Sequence, residues 1–332
     1  MTLNDDYLAL GRRLCTLLGS PAVDGLYLPA PVADETFRDE FGFVFLADGS
    51  VGPFYVSLGG MLRTLWRRHP DPPLFSADPL HLLDGFGSTE PAVRGLAVGT
   101  FNALSAALMH AAGFEPPDRA SDSDGADDRN GDGDAPVGMV GYFCPLIDRL
   151  TARGRHVLVL EQAPQRVPER AGVQVTTDMR ALRDCSQVLC TASTLVNDTL
   201  PSLLDALHGH VVVDLIGPTG SGLPDPLFAH GVRAVGGIRF ASRRQLLEQL
   251  RAGQAWGDAG RKYQLDARTY PGVDGLAAGS AQRGADPGVE GGVILQHPNR
   301  GLRRIQRGGA AGEERGATAR AVTCTSSTAR RG

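Results

Sequence analysis

Between Val137 and Lys262 the chain alternates short apolar runs with stretches of helical spacing, and this rhythm constrains its architecture more than any other feature. VGMVGYF, HVLVLE, QVLCTA, HVVVDLIG and VRAVGGI read as strands. CPLIDRLTARG, NDTLPSLLDAL and SRRQLLEQLRAG read as helices between or after them. A strand apolar at successive positions turns apolar side chains to both sides, so both faces of its sheet must be covered. Helical crossovers on a parallel sheet meet that demand. A fraction of 42% hydrophobic residues with only 6% aromatics suits such an aliphatic core. The expected fold class is α/β, with a Rossmann-like parallel sheet domain over residues 137–265.

The flanking segments obey other patterns. Residues 1–114 are expected to form a small α+β domain. GLYLPAPVA and GFVFLADGSVGPFYVSL alternate around an Asp-Gly turn, and Asp78 before Pro79 marks a helix start. In STEPAVRGLAVGTFNALSAALMHAAGF, Val93, Leu96, Ala97, Leu104, Leu108 and Ala111 recur at near-helical spacing. Residues 115–136, EPPDRASDSDGADDRNGDGDAP, carry no Val, Ile, Leu or aromatic residue and read as an acidic disordered linker. A calcium loop beginning at Asp128 fails there, because Met139 falls where a bidentate Glu is required. Residues 266–332, rich in Gly, Ala and Arg, read as a mostly disordered tail. That tail lacks the aromatic interleaving of a nucleic-acid-binding arm.

A net charge of −4 gives no basic field for nucleic acid. The N-terminus is acidic where a secretion signal is basic, no apolar run reaches membrane-spanning length, and five scattered cysteines make no disulfide framework. A cytoplasmic protein without nucleic-acid or membrane partners is expected; a homo-oligomer is compatible with the sequence.

The first strand of the 137–265 segment ends in GMVGYFCPL. A dinucleotide-binding turn needs three glycines, and aligning Gly141 with the first puts Phe143 and Leu146 at the others. Phe143 would fill the pyrophosphate space and Pro145 removes an N–H donor. Glu161, about twenty residues on, stands where a ribose-binding carboxylate would. Other strand ends offer Thr191, Ser193, Thr194, Asn197 and Thr199, then Gly217, Pro218, Thr219 and Ser221. Backbone N–H groups and hydroxyls of this kind hold anions or polar small molecules, and they also serve as ordinary caps and turns. No Ser/His/Asp order or paired carboxylate stands out, so catalytic residues stay unassigned. Cys185 with Cys190, and His208 with His210, make poor metal cages; Glu161 and Cys144 are the remaining metal candidates, and they are a thin set.

VGMVGYFCPLIDRL, VLVLEQAP, TASTLVNDTLPSLL and GPTGSGLPDPLFAHGVRAVGG, in this order, resemble the putative heavy-metal chelation domain family, a Rossmann-like family of unknown function. VGTFNALSAAL resembles a helix motif of the enolase N-terminal-like companion domain of that family. The resemblance implies a ligand in the cleft between the two domains. It carries over to Gly99, Thr100 and Asn102, and to Gly141, Phe143, Pro145, Glu161, Thr191, Thr194, Asn197, Thr199, Gly217, Pro218 and Thr219. The implied ligand is a small molecule, a heavy-metal ion or a metal chelate. The alternative is an enzyme using S-adenosylmethionine or NADP on the Rossmann-like domain.

Overall fold

The computed structural model describes residues 1–31, 40–119 and 135–285. The alternating segment forms most of a seven-stranded sheet. In chain order its elements are β4 (Val137–Val140), α5 (Cys144–Ala152), β5 (Val157–Leu160), β6 (Val173–Thr176), β7 (Gln187–Thr191), α6 (Leu200–Leu207), β8 (Val213–Ile216), α7 (Asp225–Ala229), β9 (Val232–Phe240), α8 (Arg243–Arg251) and β10 (Gly260–Asp266). The strands lie in the order β10-β9-β8-β7-β4-β5-β6. All neighbours are parallel except β10, which runs antiparallel to β9. The expected Rossmann-like α/β architecture is present.

Two of these strands are absent from the sequence expectation. β6 is an edge strand with its middle residues Gln174 and Val175 exposed, so it lacks the continuous apolar run of its neighbours. β10 begins with exposed Arg261 and Lys262, and only further along are Tyr263 and Leu265 buried in the core. Edge strands tolerate such charges because one face or margin meets water.

Ahead of the large sheet come α1 (Leu3–Leu18), the antiparallel meander β1 (Val23–Tyr27), β2 (Phe41–Leu46) and β3 (Val51–Tyr55), then α2 (Met61–Arg68), α3 (Pro79–Leu83) and α4 (Pro91–Ala111). Helix α1, unassigned from sequence, starts with a capping box: Asp5 N donates to Thr2 Oγ1 and Thr2 N donates to Asp5 Oδ2. Asp78 caps α3 as expected, accepting from Leu80 N at 2.9 Å. Helix α4 has the length and mean hydropathy of a membrane span, but 89% of that window is buried in this molecule, which makes it the central core helix.

Strand periodicity shows how the small sheet is held. On β2, Val44 and Leu46 join the main core beside α4, whereas Phe43 and Phe45 join a second cluster with Leu246 of α8 and Trp256. Both faces of the meander are therefore covered, one by its own helix and one by the C-terminal part of the large unit.

The expectation of a mostly disordered tail from residue 266 needs correcting at its start. A helix, α9 (Gly272–Ala285), packs against α4. Val273 and Leu276 are buried, and Asp225 accepts from both Val273 N and Tyr270 Oη. Its Gly- and Ala-rich composition hid a helix that tertiary contacts hold. The rest of the expected tail, 286–332, and residues 120–134 of the expected acidic linker lie outside the described residues.

Candidate functional site

The chain leaves β4 toward β5 and β6 on one side, then returns to place β7 on the other side of β4. Where strand order reverses this way, the crossovers diverge and open a crevice beyond the carboxyl ends of the strands. Here Gly141 follows β4 with φ +85°, and a methyl on it would stand 3.1 Å from Thr191 Cγ2 at the end of β7. The next turn, Ala192–Leu195, packs on the turn Pro218–Gly220 that follows β8. Three successive strand ends thus form one continuous crest: Gly141–Cys144, Thr191–Ser193 and Gly217–Pro218, all half-buried apart from buried Ala192.

The crest offers half-buried hydrogen-bonding groups. Thr191 Oγ1 and Ser193 Oγ are 3.0 Å apart, and Ser193 N donates to Thr191 Oγ1 at 3.3 Å. Helix α5 begins at Cys144 with Phe143 as its N-cap, which supplies no side-chain cap. Tyr142 Oη is buried without a hydrogen bond of ordinary geometry, although the Cys144 thiol and Arg170 guanidinium stand close enough to act on its charge. Burial, reinforced by Cys144 and opposed by Arg170, pushes the Tyr142 phenol up to about 12. Phe143 packs beside Tyr142 and Val173 on the apolar cluster of this half of the sheet.

Several residues expected at the ligand are instead closed off. Thr100 is fully buried in α4 and donates to Leu96 O, one turn back in its own helix. Asn102, 2% exposed, donates from Nδ2 to Pro53 O at 2.7 Å and to Thr219 O at 2.9 Å. Thr219 Oγ1 in turn accepts from Tyr55 N at 3.1 Å. Gly52 and Gly99 let β3 approach α4: a methyl on Gly52 would fall 1.8 Å from Gly99 O, and one on Gly99 2.7 Å from Phe54 Cδ1. Asn102 and Thr219 thus join the small sheet and α4 to the loop after β8, while the Thr100 hydroxyl is spent inside its own helix. Asn102 is thus enclosed in the seam, whereas Asn197 is exposed. A polar residue on a buried helix face has a backbone to satisfy before it can serve a ligand.

Others divide. Thr194 is buried, donating to Thr191 O at 2.6 Å. Ser221 is buried and donates to Pro218 O at 2.6 Å. Asn197 and Thr199 are exposed just beyond the crest, where Asn197 N donates to Ser193 O at 3.2 Å and Asn197 Oδ1 accepts from both Thr199 N and Thr199 Oγ1. Pro145 is exposed in the first turn of α5. Glu161 lies on the far side of β4 from β7, and its Oε1 accepts from Ala163 N at 3.1 Å within its own turn.

The thiols separate clearly. Cys190 is buried, and burial pushes its thiol up to about 12 against the opposing Thr194 hydrogen bond. Burial likewise raises Cys185 and Cys15 to about 11. Cys144 is the half-exposed cysteine among the described residues. His208 and His210 are exposed and share a depression of about 360 Å³ with His230, at the start of β8 and β9 and therefore at the opposite end of the sheet. Among the described residues no group of three or more His, Cys, Asp and Glu is placed to hold a metal ion. A heavy-metal cage built by these side chains alone does not fit.

Arg94 and Asp198 carry a role that the sequence gave no reason to suspect. Arg94, on α4, is 1% exposed and joins Asn4, Phe86, Leu195 and Asp198. In sequence it is the one arginine of a helix rich in apolar residues.

With the geometry in place, comparison with known proteins adds the following. Residues 126–268 match the sequence profile of the DUF364 family, described as putative heavy-metal chelation. A DUF364 protein of unknown function from Pyrococcus horikoshii aligns with a TM-score of 0.58 at 18% identity, over 80% of this chain and 100% of that one. A second, from Desulfitobacterium hafniense, aligns at 0.53 and 18%, over 77% and 97%. These similarities speak for the fold. A muconate cycloisomerase from Azorhizobium caulinodans reaches a TM-score of only 0.27, so the enolase N-terminal-like companion gains no argument from it. No curated protein matches the chain.

Proposed function

We propose that the protein binds a small polar ligand at the crest formed by Gly141–Cys144, Thr191–Ser193 and Gly217–Pro218, and that this ligand is a metal already held by an organic chelator. One observation carries the reading. The switch point between β4 and β7 gathers half-exposed hydroxyls and the uncapped start of α5, while the described residues hold no set of side chains able to cage a bare ion. Groups of that kind recognise the oxygens and shape of a complex rather than its metal. The description of the matched family fits a metal-bearing ligand. The crowding of the first crossover by Tyr142 and Phe143 counts against a diphosphate-bridged cofactor.

A thermal-shift and calorimetry screen tests this. Nickel citrate and ferric citrate are compared with the free metals, free citrate, NADP and S-adenosylmethionine. A ligand at a hundred times its Kd stabilises by about 2.7 kcal/mol. A rise in Tm with a metal citrate and with neither component alone is expected. Tight stoichiometric binding of a free metal, or a shift with NADP or S-adenosylmethionine alone, would overturn the reading.

A further inference from the structure

Arg94 is 1% exposed, and two of its four partners, Leu195 and Asp198, lie on one segment. Its Nε donates to Leu195 O at 3.0 Å and its Nη2 pairs with Asp198 Oδ1 at 2.9 Å. The remaining donors go to Phe86 O at 2.6 Å and to Asn4 Oδ1 at 2.9 Å. Asn4 closes a ring by donating from Nδ2 to Asp198 Oδ1 at 3.0 Å. Four acceptors on three stretches of chain exceed the three donors of a lysine and are matched by the five of a planar guanidinium.

The segment so gripped runs from Thr191 at the crest to Thr199 at the start of α6. Its near end, Thr191, is the last residue of β7 and is held in register with Ile216 of β8. Its far end contains Asp198 at φ +59°, a left-handed conformation that Asp and Asn adopt more readily than other non-glycine residues. Arg94 binds the carbonyl of Leu195 and the carboxylate of Asp198, so the exposed Asn197 stands between two gripped residues.

Building on the ligand reading above, we propose that Arg94 is a positioning residue for the crest: from the core helix α4 it clamps Thr191–Thr199 into the shape that presents Ser193 and Asn197, so that affinity at the switch point is set from the small unit. Arg94 itself touches no ligand.

Hydrogen exchange of the full chain, resolved to the amides of 195–199, reads the clamp without any ligand. Arg94→Lys keeps the charge but loses the fork. It should speed exchange there by on the order of tenfold, with β4 and β7 unchanged. Asp198→Asn keeps an acceptor and tolerance for the left-handed backbone, so it should stay near the parent chain. Asp198→Gly keeps the backbone but removes the grip, and should behave as Arg94→Lys does. Unchanged exchange in Arg94→Lys, or faster exchange spread equally over β4, β7 and α4, would overturn the clamp. Should Arg94→Lys not fold, Asp198→Gly decides alone, being altered from the half-exposed side. Nickel citrate titration supplies the second readout: both loosening variants should bind about tenfold more weakly, and Asp198→Asn as the parent does. Undiminished binding by Asp198→Gly would also refute the proposal. Failure of the parent chain to bind nickel citrate would instead remove the ligand reading and leave the exchange result to judge the clamp.

Discussion

The seam where α4 meets the loop after β8 and the crest where β4 and β7 diverge draw on the same small polar residues, yet treat them oppositely. At the seam, Asn102 and Thr219 spend their groups on Pro53 O, Thr219 O and Tyr55 N, and the packed elements leave no room for a guest. At the crest, Thr191 and Ser193 bond chiefly to one another and stay half-buried. Both lie at strand ends, and one loop, Gly217–Ser221, contributes to both. The difference lies in the far side: a packed helix and sheet at the seam, a divergence of crossovers at the crest. Residue type at a strand end therefore does not assign function; what stands opposite does.

The sharpest way to break this contrast is at the closest approach in the seam. Gly52→Ala would put a methyl 1.8 Å from Gly99 O and 2.5 Å from Ala103 N, both backbone atoms of α4 that cannot turn aside. A loss of about 3 kcal/mol or more in chemical denaturation is expected. Stability within error of the parent would mean that β3 does not lie on α4 as described. Next in size, Asn102→Ala leaves two buried carbonyls without their donor and should cost about 2–3 kcal/mol. Its midpoint should fall, and nickel citrate should still bind the folded fraction with the affinity of the parent chain. A selective loss of binding at full stability would return Asn102 to the ligand site.

How much of this was legible beforehand follows from what each residue type reports. The continuous apolar strands β4, β5, β7, β8 and β9 announced the parallel sheet, because only a sheet covered on both faces requires them. The Asp-Gly turn between β2 and β3 and the cap at Asp78 were readable because they are local. Edge strands β6 and β10 escaped because exposure breaks their apolar runs, and α9 because Asp225 and Tyr270 hold it from afar. The crest itself could be traced to Gly141 and Thr191 by position in the topology. Thr100 and Asn102 could not be told from ligand residues, since sequence does not say which backbone lies across a helix face. Arg94 was opaque for the same reason: an arginine in an apolar helix usually reaches water, and this one meets three chain segments instead.

At the crest the expected effects on stability are smaller, and that is what sharpens the comparison. Gly141→Ala must hold φ +85° and sits 3.1 Å from Thr191 Cγ2, so about 1–2 kcal/mol should be lost, together with any ligand that approaches the backbone there. Asn197→Ala should have the smallest effect on folding. It removes the acceptor for Thr199 N and Thr199 Oγ1 just ahead of α6, an exposed turn contact worth under about 1 kcal/mol. Affinity for nickel citrate should nonetheless fall several-fold, because the same side chain stands beside the clamped Asp198 with no core to support. The ratio of binding loss to stability loss is the deciding quantity, and it should run opposite to that of Asn102→Ala. Equal ratios in the two variants would mean that seam and crest are one structural unit, and the assignment of ligand contact to the exposed residues would fall with it.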